Sequence, residues 1–438
     1  VKDIVFEILQ KEKERQQNTL MMIASENYTY NEVRDVVGSV FMHKYAEGQP
    51  GKRYYQGNQN VDEIERICQS RALAAFGLDA NLYGANVQAL SGSPANLAVI
   101  SALLEPGEKI LSMDLPSGGH LSHGWKTAER KVSLVSKVWD VEFYGVDEKT
   151  DLLDYAQILE IAKKVKPKLI ISGGTAYPRE IDYKVMSEIA REVGAYYLAD
   201  VAHEAGLIAG GAVKSPFGFA DVVTMTTHKT LRGPRGAIII AKKELIGKIN
   251  SSVFPGLQGG PHLHTIAGIA IALEKARSIE FAQYATQTVE NAKAFAMELK
   301  DRKYKVISGG TDKHLVLVDL KNKEISGWHL ALALEYAGII TNRNSVPFDS
   351  SKAYFPSGIR IGTQALTVRG MKEKEMMLIA DLVDEIVELI PPQSISDDKE
   401  KRAKQIADFE IFAKENMRIK EIREIVKLLC QKFPIDLE

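Results

Sequence analysis

Short apolar runs alternate with amphipathic stretches through the middle of this 438-residue chain. Candidate strands fall at 86–90, 109–113, 140–144, 168–172, 195–199, 222–226 and 237–241, and apolar positions at helical spacing mark 95–105, 153–165 and 183–193 between them. Alternation of this kind predicts a mostly parallel sheet covered by helices. In such sheets ligands bind beyond the carboxyl ends of the strands. Ahead of this region Ile4, Val5, Ile8 and Leu9 recur at helical spacing, so the chain opens with a short helix. From Ser25 to Asn60 the sequence is polar and aperiodic, yet Tyr28, Tyr30, Phe41, Tyr45, Tyr54 and Tyr55 argue for an ordered, packed loop. Val61, Ile64, Ile67, Leu73 and Phe76 then mark a helix that Gly77 closes. Beyond the sheet, one long helical pattern from His264 to Leu299 has no interior breaker except Gly268. Strands at 314–320 and 358–362 follow, and helices rich in Lys and Glu finish the chain. The expected organisation is an N-terminal helix and arm (1–60), a large domain (61–263), and a linking helix with a small α+β domain (264–438).

Composition narrows the possible functions. The formal net charge is −1, from 56 basic and 57 acidic side chains, so no field of one sign draws nucleic acid or an anionic membrane. No stretch approaches the ~20 apolar residues of a membrane span, and the charged segment Val1–Gln17 lacks the apolar core of a secretory leader. The two cysteines, Cys68 and Cys430, sit in amphipathic helical patterns and read as small buried apolar residues. A cytoplasmic protein is expected.

Two strand exits carry the candidate chemistry. Asp200 ends one apolar run, and Lys229 follows another within Thr226-Thr227-His228-Lys229-Thr230. An amine and a carboxylate so placed suit pyridoxal phosphate: the lysine condenses with its aldehyde, and the carboxylate keeps its pyridine nitrogen protonated. Ser91-Gly92-Ser93-Pro94 leads from a strand into a helix, where exposed N–H groups suit a phosphate. Each element has a plainer reading. Asp200 could cap a helix, His203 could be a satisfied core histidine, and the serines could be an ordinary N-cap. Their concurrence is what favours the cofactor. His120 and His123, and also His262 and His264, have spacings open to a metal, but no carboxylate or cysteine cluster accompanies either pair, so none is expected. An imidazole stacked on a pyridine ring is the better use of His120. Arg360, in an apolar strand, suits a carboxylate, internal or from an amino-acid substrate. Glu47, in a tyrosine-rich loop, is either a surface charge or a proton-transfer group.

The chain resembles the serine hydroxymethyltransferase family, from IASENYT at 23–29 through KYAEG, PGKRYY, SGSPAN, GGHLSHG, DVAHEAGL, THKTLRGPRG, VFPGLQGGP and NSVP to GIRIGT at 358–363. The resemblance implies an aspartate-aminotransferase-like α/β fold of type I, with a mostly parallel central sheet. It implies reversible conversion of L-serine and tetrahydrofolate to glycine and 5,10-methylenetetrahydrofolate, through an external aldimine of pyridoxal phosphate. Lys229 would carry the cofactor, Asp200 would pair with the pyridinium, His120 would stack on the ring, and His203 would lie near the ring hydroxyl. Gly92, Ser93 and His228 would hold the phosphate, joined by Tyr45 and Gly260 of a neighbouring subunit. Thr175, Arg235 and Gly259 complete the cofactor set, and Thr226 and His228 join the catalytic set. Ser25 and Arg360 would bind the substrate carboxylate. Glu47 and Tyr55, again from the neighbour, would serve acid–base and positioning roles, which makes a homodimer the minimum active unit. Leu115, Gly119, Leu121 and Asn344 would lie near the pterin. Thr175, Glu204, Pro356 and Gln364 depart from the usual family residues, and none of them removes a group the reaction requires.

Other readings stand beside this one. They are an aldolase of other β-hydroxy amino acids, an enzyme using a different pterin carrier, and a non-catalytic protein binding a partner such as RNA. The intact Asp200, Lys229, Arg360 and Glu47 disfavour the last. A nicotinamide dehydrogenase is weaker still, because Ser91-Gly92-Ser93 is not the dinucleotide glycine fingerprint.

Overall fold

A computed structural model describes residues 3–351 and 354–437. The chain divides into a larger unit, Tyr28–Thr286, and a smaller one made of Val1–Asn27 with Gln287–Glu438.

Seven strands form the sheet of the larger unit: β1 (Tyr83–Asn86), β2 (Lys109–Met113), β3 (Asp140–Tyr144), β4 (Leu169–Ser172), β5 (Tyr196–Asp200), β6 (Val222–Thr226) and β7 (Ala237–Lys242). Their spatial order is β1-β7-β6-β5-β4-β2-β3. Five of them, from β6 to β3, run parallel. β4 and β6 are buried along their whole length, as expected of strands covered on both faces. Helix Gly92–Leu103 helps cover the sheet, with Ala95, Val99 and Ile100 in one apolar cluster with Leu169, Leu198 and Ile239. Each such aliphatic burial contributes about 1.5–3 kcal/mol.

β7 breaks the parallel pattern, running antiparallel to both β6 and β1. The cause is the short connection Thr227–Gly236. A parallel return needs a crossover of a dozen residues or more, whereas this loop folds straight back. It is closed on itself: Thr227 N donates to Gly236 O at 3.1 Å, Gly233 N to Thr227 O at 2.7 Å, and Thr227 Oγ1 to Pro234 O at 2.6 Å. Lys229 sits in this loop, so the turn that reverses the chain also fixes the lysine.

The segment expected to be a long loop contains more structure than its composition suggests. Helix Asn31–Val37, a 3₁₀ turn Val40–His43 and a hairpin of Gly48–Gln49 with Lys52–Arg53 follow one another. Pro50-Gly51 turns the hairpin, with Gly51 at φ 80°, a value glycine adopts freely. The long helical pattern also resolves differently. It is two helices, Leu263–Lys275 and Ile279–Asp301, broken where Ser278 Oγ accepts from Phe281 N at 3.1 Å. Gly268 is no breaker: a Cβ there would come within 3.0 Å of Pro234 and Val37, so its absence permits close packing.

In the smaller unit, β8 (Lys305–Val306), β9 (Leu315–Asp319), β10 (Asn342–Asn344) and β11 (Gly358–Gly362) form an antiparallel sheet in the order β8-β9-β11-β10. Leu20, Met22, Phe295, Val316, Ile359 and Ile379 share its core cluster. Among the described residues no helix is long and apolar enough to cross a membrane.

Candidate active site

Asp200 lies at the carboxyl end of β5 and is 8 % exposed. Its Oδ2 accepts from Asn96 Nδ2 at 2.8 Å and lies 2.9 Å from His123 Nε2, while Oδ1 accepts from Ala202 N at 3.0 Å. Burial alone would raise its pKa, but the His123 hydrogen bond, the His123 and His120 charges and Asn96 together hold it well below the usual carboxylate range. The interior therefore contains a fixed negative charge. Asn96 is itself oriented by Thr224, whose Oγ1 donates to Asn96 Oδ1 at 2.6 Å from the adjacent strand.

His120 is tied to the same network. Its Nδ1 lies 2.7 Å from Ser122 Oγ and accepts from Ser122 N at 3.2 Å, and Asn96 Nδ2 donates to that Oγ at 2.9 Å. One sequence premise fails here. A carboxylate does accompany His120 and His123, with ligand atoms of all three residues within 4.8 Å of one another. The fold brings Asp200 to a histidine 77 positions away. His123 Nε2 and Asp200 Oδ2 are hydrogen-bonded to each other, and His120 is joined to Asp200 through Ser122 and Asn96. His262 and His264 stack at 5.5 Å, and no such cluster includes them among the described residues.

Lys229 is 8 % exposed, in the loop after β6. Next to it, His228 is pushed down to about 3, first by burial and then by the charges of Lys229 and Arg235. Its neutral ring keeps Nδ1 buried with no protein hydrogen-bond partner. Thr226 Oγ1 donates to Ala202 O at 3.0 Å, linking the exits of β6 and β5. His203 Nε2 lies 3.3 Å from Thr175 Oγ1, so the threonine supplies a hydroxyl beside the imidazole. Arg235 is exposed.

At the start of helix Gly92–Leu103, Ser91 makes no side-chain cap, so the first N–H groups stay available near Gly92 and Ser93. A Cβ on Gly92 would lie 2.7 Å from Thr226 Cγ2, so any other residue here would force this turn or the Thr226 side chain to shift. Gly119 is equally constrained, since its Cβ would meet Met113 O at 2.2 Å. Leu115 beside it is half-buried, and Leu121 is 50 % exposed. Leu121, Leu134 and Leu257 line an apolar recess of about 480 Å³ that also touches Ser93 and Ser122. Another recess, of about 610 Å³ beside Lys321, Ser326 and Ser357, contains none of the expected site residues.

A second group gathers on the arm. The Tyr45 and Tyr55 rings meet edge-on at 5.3 Å. The Glu47 charge, followed by burial, raises the Tyr55 hydroxyl pKa. Gly259 and Gly260 face this group, where added Cβ atoms would come 3.2 Å from Glu47 Oε1 and 3.1 Å from the Tyr45 ring. Tyr45 and Tyr55 remain 55 % and 45 % exposed.

Ser25, Asn344 and Arg360 lie in the smaller unit. Arg360 is buried at the centre of β11, opposite Leu317 and Asn342, and its Nε donates to Asn342 Oδ1 at 3.2 Å. Burial lowers its pKa to about 10, still cationic at neutral pH. Asn344 Nδ2 donates to Ser345 O at 2.7 Å. Two departures from the family pattern now have local explanations. Gln364 Nε2 donates to Ile23 O at 2.9 Å and Glu26 O at 2.6 Å, fastening the segment that carries Ser25. Glu204, 2 % exposed in the larger unit, accepts from the Tyr183 hydroxyl at 3.2 Å, so its burial is accommodated by a polar neighbour. At Pro356 the carbonyl accepts from Gly327 N at 2.8 Å.

A buried carboxylate and a buried lysine at neighbouring strand exits of a mostly parallel sheet fit the type I class of pyridoxal-phosphate-dependent transferases. The serine hydroxymethyltransferase family profile matches residues 1–383. A chloroplastic serine hydroxymethyltransferase 3 from Arabidopsis thaliana is 46% identical over 98% of this chain and 82% of its own. A mitochondrial enzyme from Schizosaccharomyces pombe is 45% identical over 97% of this chain and 89% of its own, and a cytosolic one from Aspergillus fumigatus is 47% identical over 92% and 88%. The chain belongs to the serine hydroxymethyltransferase family. That family uses pyridoxal phosphate, and the residues present fit it: an ionised interior acid, an uncapped helix start packed tightly on Thr226, and an orphaned imidazole nitrogen on His228.

Proposed function

We propose that this protein converts L-serine and tetrahydrofolate reversibly into glycine and 5,10-methylenetetrahydrofolate, with pyridoxal phosphate held at Lys229. One observation carries the reading: the Asp200 carboxylate is buried among donors from Asn96, His123 and Ala202, beside the strand that leads into Lys229. When bound, the cofactor supplies a sink for the electron pair left as the serine Cα–Cβ bond breaks. Asp200, braced by Asn96 and His123, holds a proton on the ring nitrogen so that the sink operates at neutral pH. His120 and His203 bound the ring, and Gly92, Ser93 and His228 bind the phosphate. Arg360 and Ser25 bind the substrate carboxylate, for which the guanidinium remains cationic. Glu47 moves the proton at the departing carbon and the folate nitrogen, with Tyr55 beside it. Leu115, Gly119, Leu121 and Asn344 line the pterin side.

Glu47, Tyr45, Tyr55 and Gly260 act on the site of a second copy of the chain. The exposure of Tyr45 and Tyr55, with Val40 at 73 % and Tyr54 at 72 % on the same arm, supports a homodimer that covers them. Cys68 and Cys430, both free and buried, accord with a reducing compartment and a cytoplasmic location, which cell fractionation tests. Serine turnover measured with and without tetrahydrofolate tests the reaction. Folate-dependent cleavage is expected, and equal rates without the pterin would point to a simple aldolase. Co-expression of Lys229→Ala and Glu47→Gln chains tests sharing. Random pairing yields about half mixed dimers, each with one intact site, so about a quarter of wild-type activity is expected. No recovery above the two parents would mean Glu47 serves its own chain.

A further inference from the structure

Glu47 immediately precedes the hairpin of Gly48–Gln49 with Lys52–Arg53, and the side chain of Arg53 folds back beneath it. Arg53 Nη1 donates to Ala46 O at 2.9 Å and to Gly48 O at 2.5 Å, the two carbonyls that flank Glu47. The carbonyl of Glu47 itself accepts from Tyr54 N at 3.1 Å. The guanidinium is 3 % exposed and held on its other edges by Asp62, 2.8 Å from Nε, and by Glu65. Gln88 extends the network: its Nε2 donates to Gly48 O at 3.0 Å and to Glu65 Oε1 at 2.7 Å. Gln258 Nε2 in turn donates to Gln88 O at 2.8 Å, one residue before the Gly259 that faces the Glu47 carboxylate. A buried ion network that donates to both peptide carbonyls around one half-buried acid does more than close a hairpin.

We propose that Arg53 is a positioning residue for proton transfer: it pins the main chain on both sides of Glu47 and so sets where the carboxylate can reach. This rests on the reading of Glu47 as the proton-transfer group. The planar fork of arginine is required, because an ammonium is a single point charge and cannot hold two carboxylates and two carbonyls at once. Arg53→Lys keeps the charge opposite Asp62 and Glu65 while releasing the carbonyls.

The test is a double-mutant cycle in the holoenzyme, with Arg53→Lys, Glu47→Gln and the pair assayed for serine turnover with tetrahydrofolate. Expected is a kcat loss of about tenfold for Arg53→Lys with KM for serine changed less than about twofold, since a misplaced group costs rate more than binding. In the Glu47→Gln background the same substitution costs less than about twofold, because the group it positions is gone. A full, multiplicative loss in that background overturns the proposal, as does wild-type kcat for Arg53→Lys. Wild-type kcat for Glu47→Gln instead overturns the assignment of Glu47, and this inference with it. Amide hydrogen exchange over residues 45–49 supplies a readout without cofactor: faster exchange is expected in Arg53→Lys, and unchanged protection contradicts the pinning. Should Arg53→Lys fail to fold, Gln88→Met removes one donor to Gly48 O and leaves Arg53 with both carboxylates. It is expected to speed exchange over 45–49 and to show the same dependence on Glu47, and wild-type values in both assays overturn the proposal.

Discussion

Replacing Asp200 with asparagine removes one charge and almost no volume. The carboxyl group is 8 % exposed and receives three donors, from Asn96, His123 and Ala202. An asparagine can turn its oxygen toward only one side of that set, so its amide NH₂ meets at least one other donor, which costs about 1–3 kcal/mol of stability. The functional loss is separate. A carboxylate at close range raises the pKa of a cationic ring nitrogen by ~1–3 units, equivalent to about 1.4–4 kcal/mol. Without it the ring is neutral for most of the time, and kcat falls by about ten- to a thousandfold. Turnover of serine at saturating cofactor, together with thermal unfolding, separates the two effects. A folded Asp200→Asn enzyme with kcat within about threefold of wild type would refute the reasoning, because the charge would then contribute less than about 0.7 kcal/mol.

Three further outcomes follow from the same geometry. Gly92→Ala places a methyl 2.7 Å from Thr226 Cγ2 and should weaken cofactor binding in equilibrium titration by about 1–3 kcal/mol; pairing it with Thr226→Ser, which removes that methyl, should restore most of the loss, and equal affinities with and without the partner change would contradict the packing. Gln364→Leu strands the carbonyls of Ile23 and Glu26, so unfolding should show a loss of about 1–3 kcal/mol and KM for serine should rise; an unchanged KM would separate that segment from the substrate. His329, buried and lowered to about 4 from an unfolded value of 6.5, stays neutral in the fold, so the unfolded chain binds more protons between those values and stability falls as pH drops from 6.5 toward 4. The melting temperature of the cofactor-free protein should therefore decline across that window less steeply in His329→Gln than in wild type.

Much of the larger unit was legible because its strands are buried on both faces and announce themselves as apolar runs. β2, β3 and β6 lie where those runs predict, at 109–113, 140–144 and 222–226. Asp200 and Lys229 were legible for the same reason, being polar groups at the ends of such runs. The helix break at Ser278 was not, since a single serine cap interrupts periodicity too little to be seen against an apolar background. The hairpin around Pro50-Gly51 was hidden because its side chains are polar and its stability comes from Arg53, Asp62 and Glu65. Partners far apart in sequence left the least trace. His123 meets Asp200 across 77 positions and Gln364 meets Ile23 across 341, and no local pattern encodes either pairing.

The covalent tether is the claim most open to a direct measurement. The purified holoenzyme, treated with borohydride to fix the carbon–nitrogen double bond and then digested, should yield one pyridoxyl-modified peptide with the added mass on Lys229. Modification of a different lysine, or recovery of the 226–230 peptide without the added mass from fully loaded protein, would contradict the account.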